Sequence, residues 1–222
     1  MLRPLLAVRP AVLNPARWSG EELANCVTHG VGLVLSVGGV SVLLPLATQR
    51  GDAWAIVGCS IYGITLVAMY IVSTLYHGLQ HSPLKKTFRT IDHVCIYFFI
   101  AGSYTPFALV YLRESFGWHI LVTIWACAAI GTWCKVAVER GSELVSIVTY
   151  LLMGWLCLVV IEPLAAALPS GALTWLFLGG GFYTLGVVFY VRDNRSYNHA
   201  IWHLFVLAGS CSHYCAILYP LV

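Results

Sequence analysis

A chain of 222 residues is long enough for one or two water-soluble domains, yet 59% of it is hydrophobic and only 9% charged, against roughly 25% charged in ordinary globular proteins. Mean hydropathy is +0.83, and the formal net charge of +3 gives no reason to expect a nucleic-acid partner. The composition excludes an ordinary soluble domain and indicates a multi-pass protein of the cell membrane.

Taken in chain order, residues 1–27 contain Pro4, Pro10 and Pro15 and lack the apolar core and small-residue cleavage site of a signal peptide. They read as an N-terminal segment ahead of a membrane domain spanning residues 28–222. A helix needs roughly 20 apolar residues to cross a hydrocarbon core of about 30 Å. Seven stretches approach that length: Thr28–Thr48, Trp54–Tyr76, Asp92–Leu112, Phe116–Cys134, Leu144–Ile161, Leu173–Val191 and Ala200–Tyr219. Their Asp, Glu, Lys and Arg residues sit at the ends. Pro106 and the Gly179–Gly181 run fall inside spans, where neighbouring helices can cover freed backbone groups. The predicted fold is therefore all-α, a seven-transmembrane helix bundle with no internal repeat and no interdomain linker.

Basic residues orient the bundle. Arg3, Arg9, Arg17, Lys85, Lys86, Arg89, Lys135, Arg140, Arg192 and Arg195 fall on one alternating set of connecting segments, and only Arg50 and Arg113 on the other. Lys and Arg accumulate on cytoplasmic loops, so the N-terminus is expected in the cytoplasm and the C-terminus outside.

With that topology, three segments bring chemistry-bearing residues to the cytoplasmic rim. Helix 2 ends in "STLYHG" with Ser73 and His77, helix 3 begins "IDHVCIYFF" with Asp92, and helix 7 opens "NHAIWH" with His199 and His203. Residues four apart on a helix are offset by only about 40° and 6 Å, so His199 and His203 can chelate one ion, and Ser73 and His77 share a face. Three imidazoles are a familiar zinc set that leaves a fourth tetrahedral position open to water, with Asp92 and Ser73 placed to hydrogen-bond there. Singly, each residue has an ordinary explanation: an interfacial histidine, an N-capping aspartate, a small packing serine. Their convergence at one depth is what points to a metal. His29 lies at the same rim as a substitute ligand or a supporting partner. His93, about 100° around the helix from Asp92, is not expected to face the metal together with it. His81 lies in a loop, and His119 and His213 lie toward the other side. The eight cysteines lie in or beside spans without a C-x2-C pair and read as small packing residues, with no disulfide framework.

These motifs also carry a resemblance. From "EELANCVTHGVGL" through "STLYHGLQHSPLKKTFRTIDHVCIYFFIAGSYTPF" to "HAIWHLFVLAGSCSHY", the chain resembles the hemolysin III family, within the progestin and adipoQ receptor group that includes the adiponectin receptors. The resemblance covers nearly the whole chain and implies seven helices with a cytoplasmic N-terminus. It also implies zinc held by His77, His199 and His203, with Asp92 and Ser73 beside it as catalytic residues. The chain lacks the long N-terminal extension of the adiponectin receptors, which favours a short, bacterial-type member over a hormone receptor. The group is allied with alkaline ceramidases, so the expected activity is zinc-dependent hydrolysis of a membrane lipid amide or ester. A zinc-containing sensor without turnover is the alternative. A pore ranks last, because such proteins usually carry ionisable residues at mid-membrane and these spans do not.

Overall fold

The computed structural model describes residues 19–80, 82–137 and 143–222, and among these the regular secondary structure is all helical, with no strand. Among the described residues, seven helices are long and apolar enough to cross a membrane: α1 Gly20–Gln49, α2 Ala53–Gly78, α3 Lys85–Tyr111, α4 Gly117–Ala137, α5 Glu143–Ala167, α6 Ser170–Tyr190 and α7 Asn198–Leu221. Most of the segment ahead of Thr28, with its three arginines, lies outside the described residues, as do Arg140 and His81.

The helices overrun the apolar stretches, most clearly at the start of α1. Ser19 caps this helix by accepting the Glu22 amide N–H at 3.1 Å, and Glu21 and Glu22 place negative charge against the positive end of the helix dipole. Hydropathy does not register these polar turns, so the helix begins eight residues before Thr28. At 1.5 Å per residue its 30 residues span about 45 Å, more than the hydrocarbon core. The first turns therefore stand at the rim.

Neighbouring helices approach closely where small residues meet. A Cβ added to Gly58 would sit 2.9 Å from the Pro106 backbone, and one added to Gly209 would meet the Tyr183 ring at 2.7 Å. These contacts lock α2 to α3 and α6 to α7, as expected where packing rather than water exclusion drives association. α7 also returns against α1, while α5 touches α3, α4 and α6 only thinly. Two buried clusters form the interior. One gathers Leu43, Tyr62, Leu66, Tyr70 and Val206, and the other packs Tyr97, Ile124, Ala128 and Met153. Large apolar residues such as Trp133 and Val159 point outward, toward lipid.

α5 is broken at mid-span. After Gly154 it tightens into a 3-10 segment, Trp155–Val160, before resuming at Ile161. Pro163 supplies a cause: it lacks an N–H, and its ring crowds the carbonyl four residues back. The Tyr104 hydroxyl, from α3, repairs the gap. It donates toward the Met153 and Gly154 carbonyls at 2.9 and 2.8 Å and accepts the Cys157 N–H at 2.9 Å. Tyr104→Phe strands these groups away from water, where an unmet partner costs about 1–3 kcal/mol. A lowered thermal-unfolding midpoint in detergent is the expected result; an unchanged one means that the break is satisfied elsewhere.

Candidate metal centre

His77 lies in the last turn of α2, and His199 and His203 in the first turns of α7. One nitrogen from each falls within a group whose members are all within 4.8 Å of one another. The ring centroids are 5.1 Å apart for His77–His199, 4.9 Å for His77–His203 and 4.7 Å for His199–His203. Tetrahedral zinc with bonds near 2.0–2.1 Å separates its nitrogens by about 3.4 Å, so the rings need to close by an amount on the order of 1 Å.

Hydrogen bonding fits the set to a metal. His77 Nδ1 lies 2.6 Å from Glu22 Oε2, and His203 Nδ1 lies 3.2 Å from the Asn25 carbonyl oxygen. Both oxygens are acceptors, which assigns the ring proton to Nδ1 and leaves Nε2 bare. His77 Nε2 is buried and has no partner among the described residues. A buried, unpaired lone pair facing two other imidazoles is what a cation would satisfy. His199 Nδ1 faces Asp193 Oδ1 at 3.6 Å, beyond a good hydrogen bond but on the favourable side for the same tautomer. The buried triad can thus hold a metal ion.

The remaining candidates sort around this cluster. Ser73 is buried, as its shared face with His77 predicts, and its Oγ lies 2.6 Å from His29 Nδ1. His29 does not join the ligand group; it stacks on His203, centroids 3.5 Å apart and planes 13° from parallel. Asp92 is half-buried, lines the same cavity as Ser73, His199 and His203, and has Ser73, His199 and Arg89 as electrostatic neighbours. His93 also lines the cavity, with Nε2 3.3 Å from the Tyr190 hydroxyl, but stays outside the ligand group. His213 lies toward the cavity's far end, and His119 packs near the Phe116 ring.

Sequence inspection did not single out Glu22 or Asn25. Ser19 and Glu22 have the spacing of a capping box, which gives Glu22 an ordinary job. Only half of that box forms, because the carboxylate turns to His77 and to Lys85 Nζ at 2.7 Å. The signal that could have found it is the E-x2-N-x3-H run of Glu22, Asn25 and His29, which puts three polar side chains along one face of an otherwise apolar helix.

The cavity runs from His199 and His203 between α2, α3, α5, α6 and α7, past Phe99, Ile100, Leu151 and Val206, to Trp155 and His213. Its volume is about 190 Å³, against roughly 10–15 Å³ needed for one water, so it has room for a ligand group.

A seven-helix membrane bundle with a buried histidine triad near one end defines an integral membrane protein with a candidate metal site in its interior. Residues 18–214 match the Haemolysin-III related family, and the chain belongs to it. It is 40% identical over 202 residues to "Hemolysin-3" of Bacillus cereus, covering 90% of this chain and 92% of the relative. To "Hemolysin-3 homolog" of Bacillus subtilis it is 40% identical over 199 residues, covering 90% and 93%. The human "Monocyte to macrophage differentiation factor" is 35% identical over 205 residues, covering 89% and 83%, in keeping with the progestin and adipoQ receptor group. No solved structure matches the chain.

Proposed function

We propose that the protein is a zinc-dependent hydrolase of a membrane lipid amide or ester, with zinc held by His77, His199 and His203. The observation that carries this reading is the shared cavity: His199 and His203 of the triad line one end with Asp92 and Ser73, and an apolar and aromatic bore extends from them into the bundle. That polarity gradient matches an amphiphile with a carbonyl near its head and hydrocarbon behind it. When bound, zinc supplies Lewis acidity that polarises a carbonyl and makes water more acidic.

The chain's own residues supply the rest. Asp92, the only carboxylate from α3 lining the cavity, takes the proton of the attacking water and returns it to the leaving group. Ser73 Oγ lies 2.6 Å from His29 Nδ1; with the ring proton on Nδ1, His29 donates to that oxygen and leaves the Ser73 hydroxyl hydrogen free for the attacked carbonyl or the water. The bore excludes bulk water and aligns the hydrocarbon. A pore is disfavoured: among the described residues the buried middle of the bundle holds Tyr62, Leu66 and Ile124 and no Asp, Glu, Lys or Arg side chain.

The test is turnover. Zinc-loaded protein in liposomes, offered a panel of ceramides, glycerolipid esters and N-acyl amines, should release fatty acid from at least one class, and chelation should abolish release. No release from any class, with zinc bound, would sink the hydrolase. The orientation is part of the proposal, since it puts the site at the cytoplasmic rim. A reporter fused after Val222 should be accessible from outside; a cytoplasmic reporter would place the site on the outer face.

A further inference from the structure

α1 contributes none of the three histidines, yet its first turns touch every element that does. Glu22 Oε2 lies 2.6 Å from His77 Nδ1, and its other oxygen, Oε1, is held by Lys85 Nζ at 2.7 Å. The Asn25 carbonyl accepts from His203 Nδ1 at 3.2 Å. Glu21 Oε1 accepts the Tyr197 amide N–H at 3.0 Å. Tyr197 immediately precedes α7 and is the only described non-glycine residue with positive φ, at 64°. A left-handed conformation crowds the Cβ of an L-residue and is disfavoured, so that turn benefits from an outside hold, and His199 follows two residues later. Glu21, Glu22 and Asn25 thus secure the segments bearing His199, His77 and His203 respectively.

We infer that this first stretch of α1 is the positioning shell of the metal centre, with Glu22 as its principal member. The inference rests on the proposed zinc site and deepens it. The physical ground is the ring proton. An imidazole binds metal through a nitrogen that carries no hydrogen, and free histidine exchanges between tautomers. A carboxylate on Nδ1 holds the proton there, presents Nε2, and stops the ring from turning about χ2. Glu22 can do this only if its own orientation is fixed, and Lys85 fixes it. Lys85 in turn packs over the Tyr76 ring, with Nζ 4.9 Å from its centroid, so the chain Tyr76–Lys85–Glu22–His77 ties the ends of α2 and α3 to the start of α1. Glu22 is therefore a positioning residue that acts through His77.

The experiment measures two things on the full-length protein in detergent. The first is zinc affinity, by competition with a chromophoric chelator. Removing such a carboxylate partner typically weakens binding 10–100-fold, so Glu22→Ala should fall in that range. Glu22→Gln, which keeps an oxygen acceptor without the charge, should fall between Glu22→Ala and wild type. Lys85→Met should weaken binding by less than Glu22→Ala, and it is read if Glu22→Ala fails to fold. The second is the His77 tautomer in zinc-free protein, from ¹⁵N imidazole shifts. Wild type should show the Nδ1–H form, and Glu22→Ala should shift toward the Nε2–H form, which a merely structural role would not produce. Wild-type zinc affinity and an unchanged tautomer in Glu22→Ala, or in Lys85→Met and Glu22→Gln if it does not fold, overturn the positioning shell. Wild-type protein that binds no zinc overturns the zinc site instead, and the tautomer measurement still decides whether Glu22 orients His77.

Discussion

Changing His199 and His203 together to alanine should take the purified protein from about one zinc per chain to essentially none. Two of the three ligands leave from a single helix, and the nitrogen that remains, His77 Nε2, is one isolated donor in a buried site. Each single variant should lose most of its zinc as well, since two ligands with water cannot reproduce a three-histidine cage. Inductively coupled plasma measurement on protein purified without added metal gives the answer directly. His29 supplies the control. It stacks on His203 at 3.5 Å but stands outside the group of converging nitrogens, so His29→Phe keeps an aromatic ring against His203 and should retain zinc. Full retention in the double histidine variant, or loss confined to the His29 variant, would mean that a different set of imidazoles holds the ion.

Asp92→Asn should leave zinc and fold in place while hydrolysis falls by about 10²–10⁴-fold, the usual worth of a general base. The substitution preserves shape and one hydrogen-bonding oxygen, and the three histidine ligands are untouched. Loss should appear in kcat, with KM little changed, because on the proposed reading the lipid would be held chiefly by the bore, whose lining includes Ile96 and Trp155, and not by the carboxylate. Ser73→Ala should cost less, on the order of 10²-fold for one directed hydrogen bond. A different pattern favours the sensor. If wild type cleaves nothing in the lipid panel while Asp92→Asn abolishes a cellular phenotype with zinc still bound, then Asp92 is a mechanical link from α3 to the metal, and lipid occupancy is the signal.

Much of this arrangement is legible in the chain because two periodicities carry it. Seven apolar runs of membrane length fix the number of helices, and the four-residue spacings Ser73–His77 and His199–His203 place both pairs on buried faces at one end. What escapes the sequence depends on geometry that hydropathy does not encode. The polar opening of α1 is invisible to an apolar scan although Ser19 caps it at 3.1 Å. Glu22 reads as a capping-box residue because its diversion to His77 depends on how α1 and α2 are juxtaposed, 55 positions apart. The break in α5 hides inside an apolar run: Gly154 and Pro163 are visible, but whether they interrupt the helix depends on a hydroxyl reaching across from Tyr104. The stretch Leu144–Ile161 accordingly stops short of the observed end at Ala167.

The division of ligands between α2 and α7 has a consequence for how the protein is made. His77 emerges from the ribosome about 120 residues before His199, a gap of roughly ten seconds at ordinary elongation rates. Through that interval the nascent chain has Glu22 and His77 available to pair but no partner imidazoles from α7. A helical hairpin of α1 and α2 can settle in the bilayer, yet it offers a single histidine nitrogen, which cannot retain an ion. Only when the seventh helix is threaded home does the cage close. If the triad holds a metal as proposed, its acquisition is a late, all-or-none event that follows completed insertion, and a chain stalled after α6 would remain metal-free.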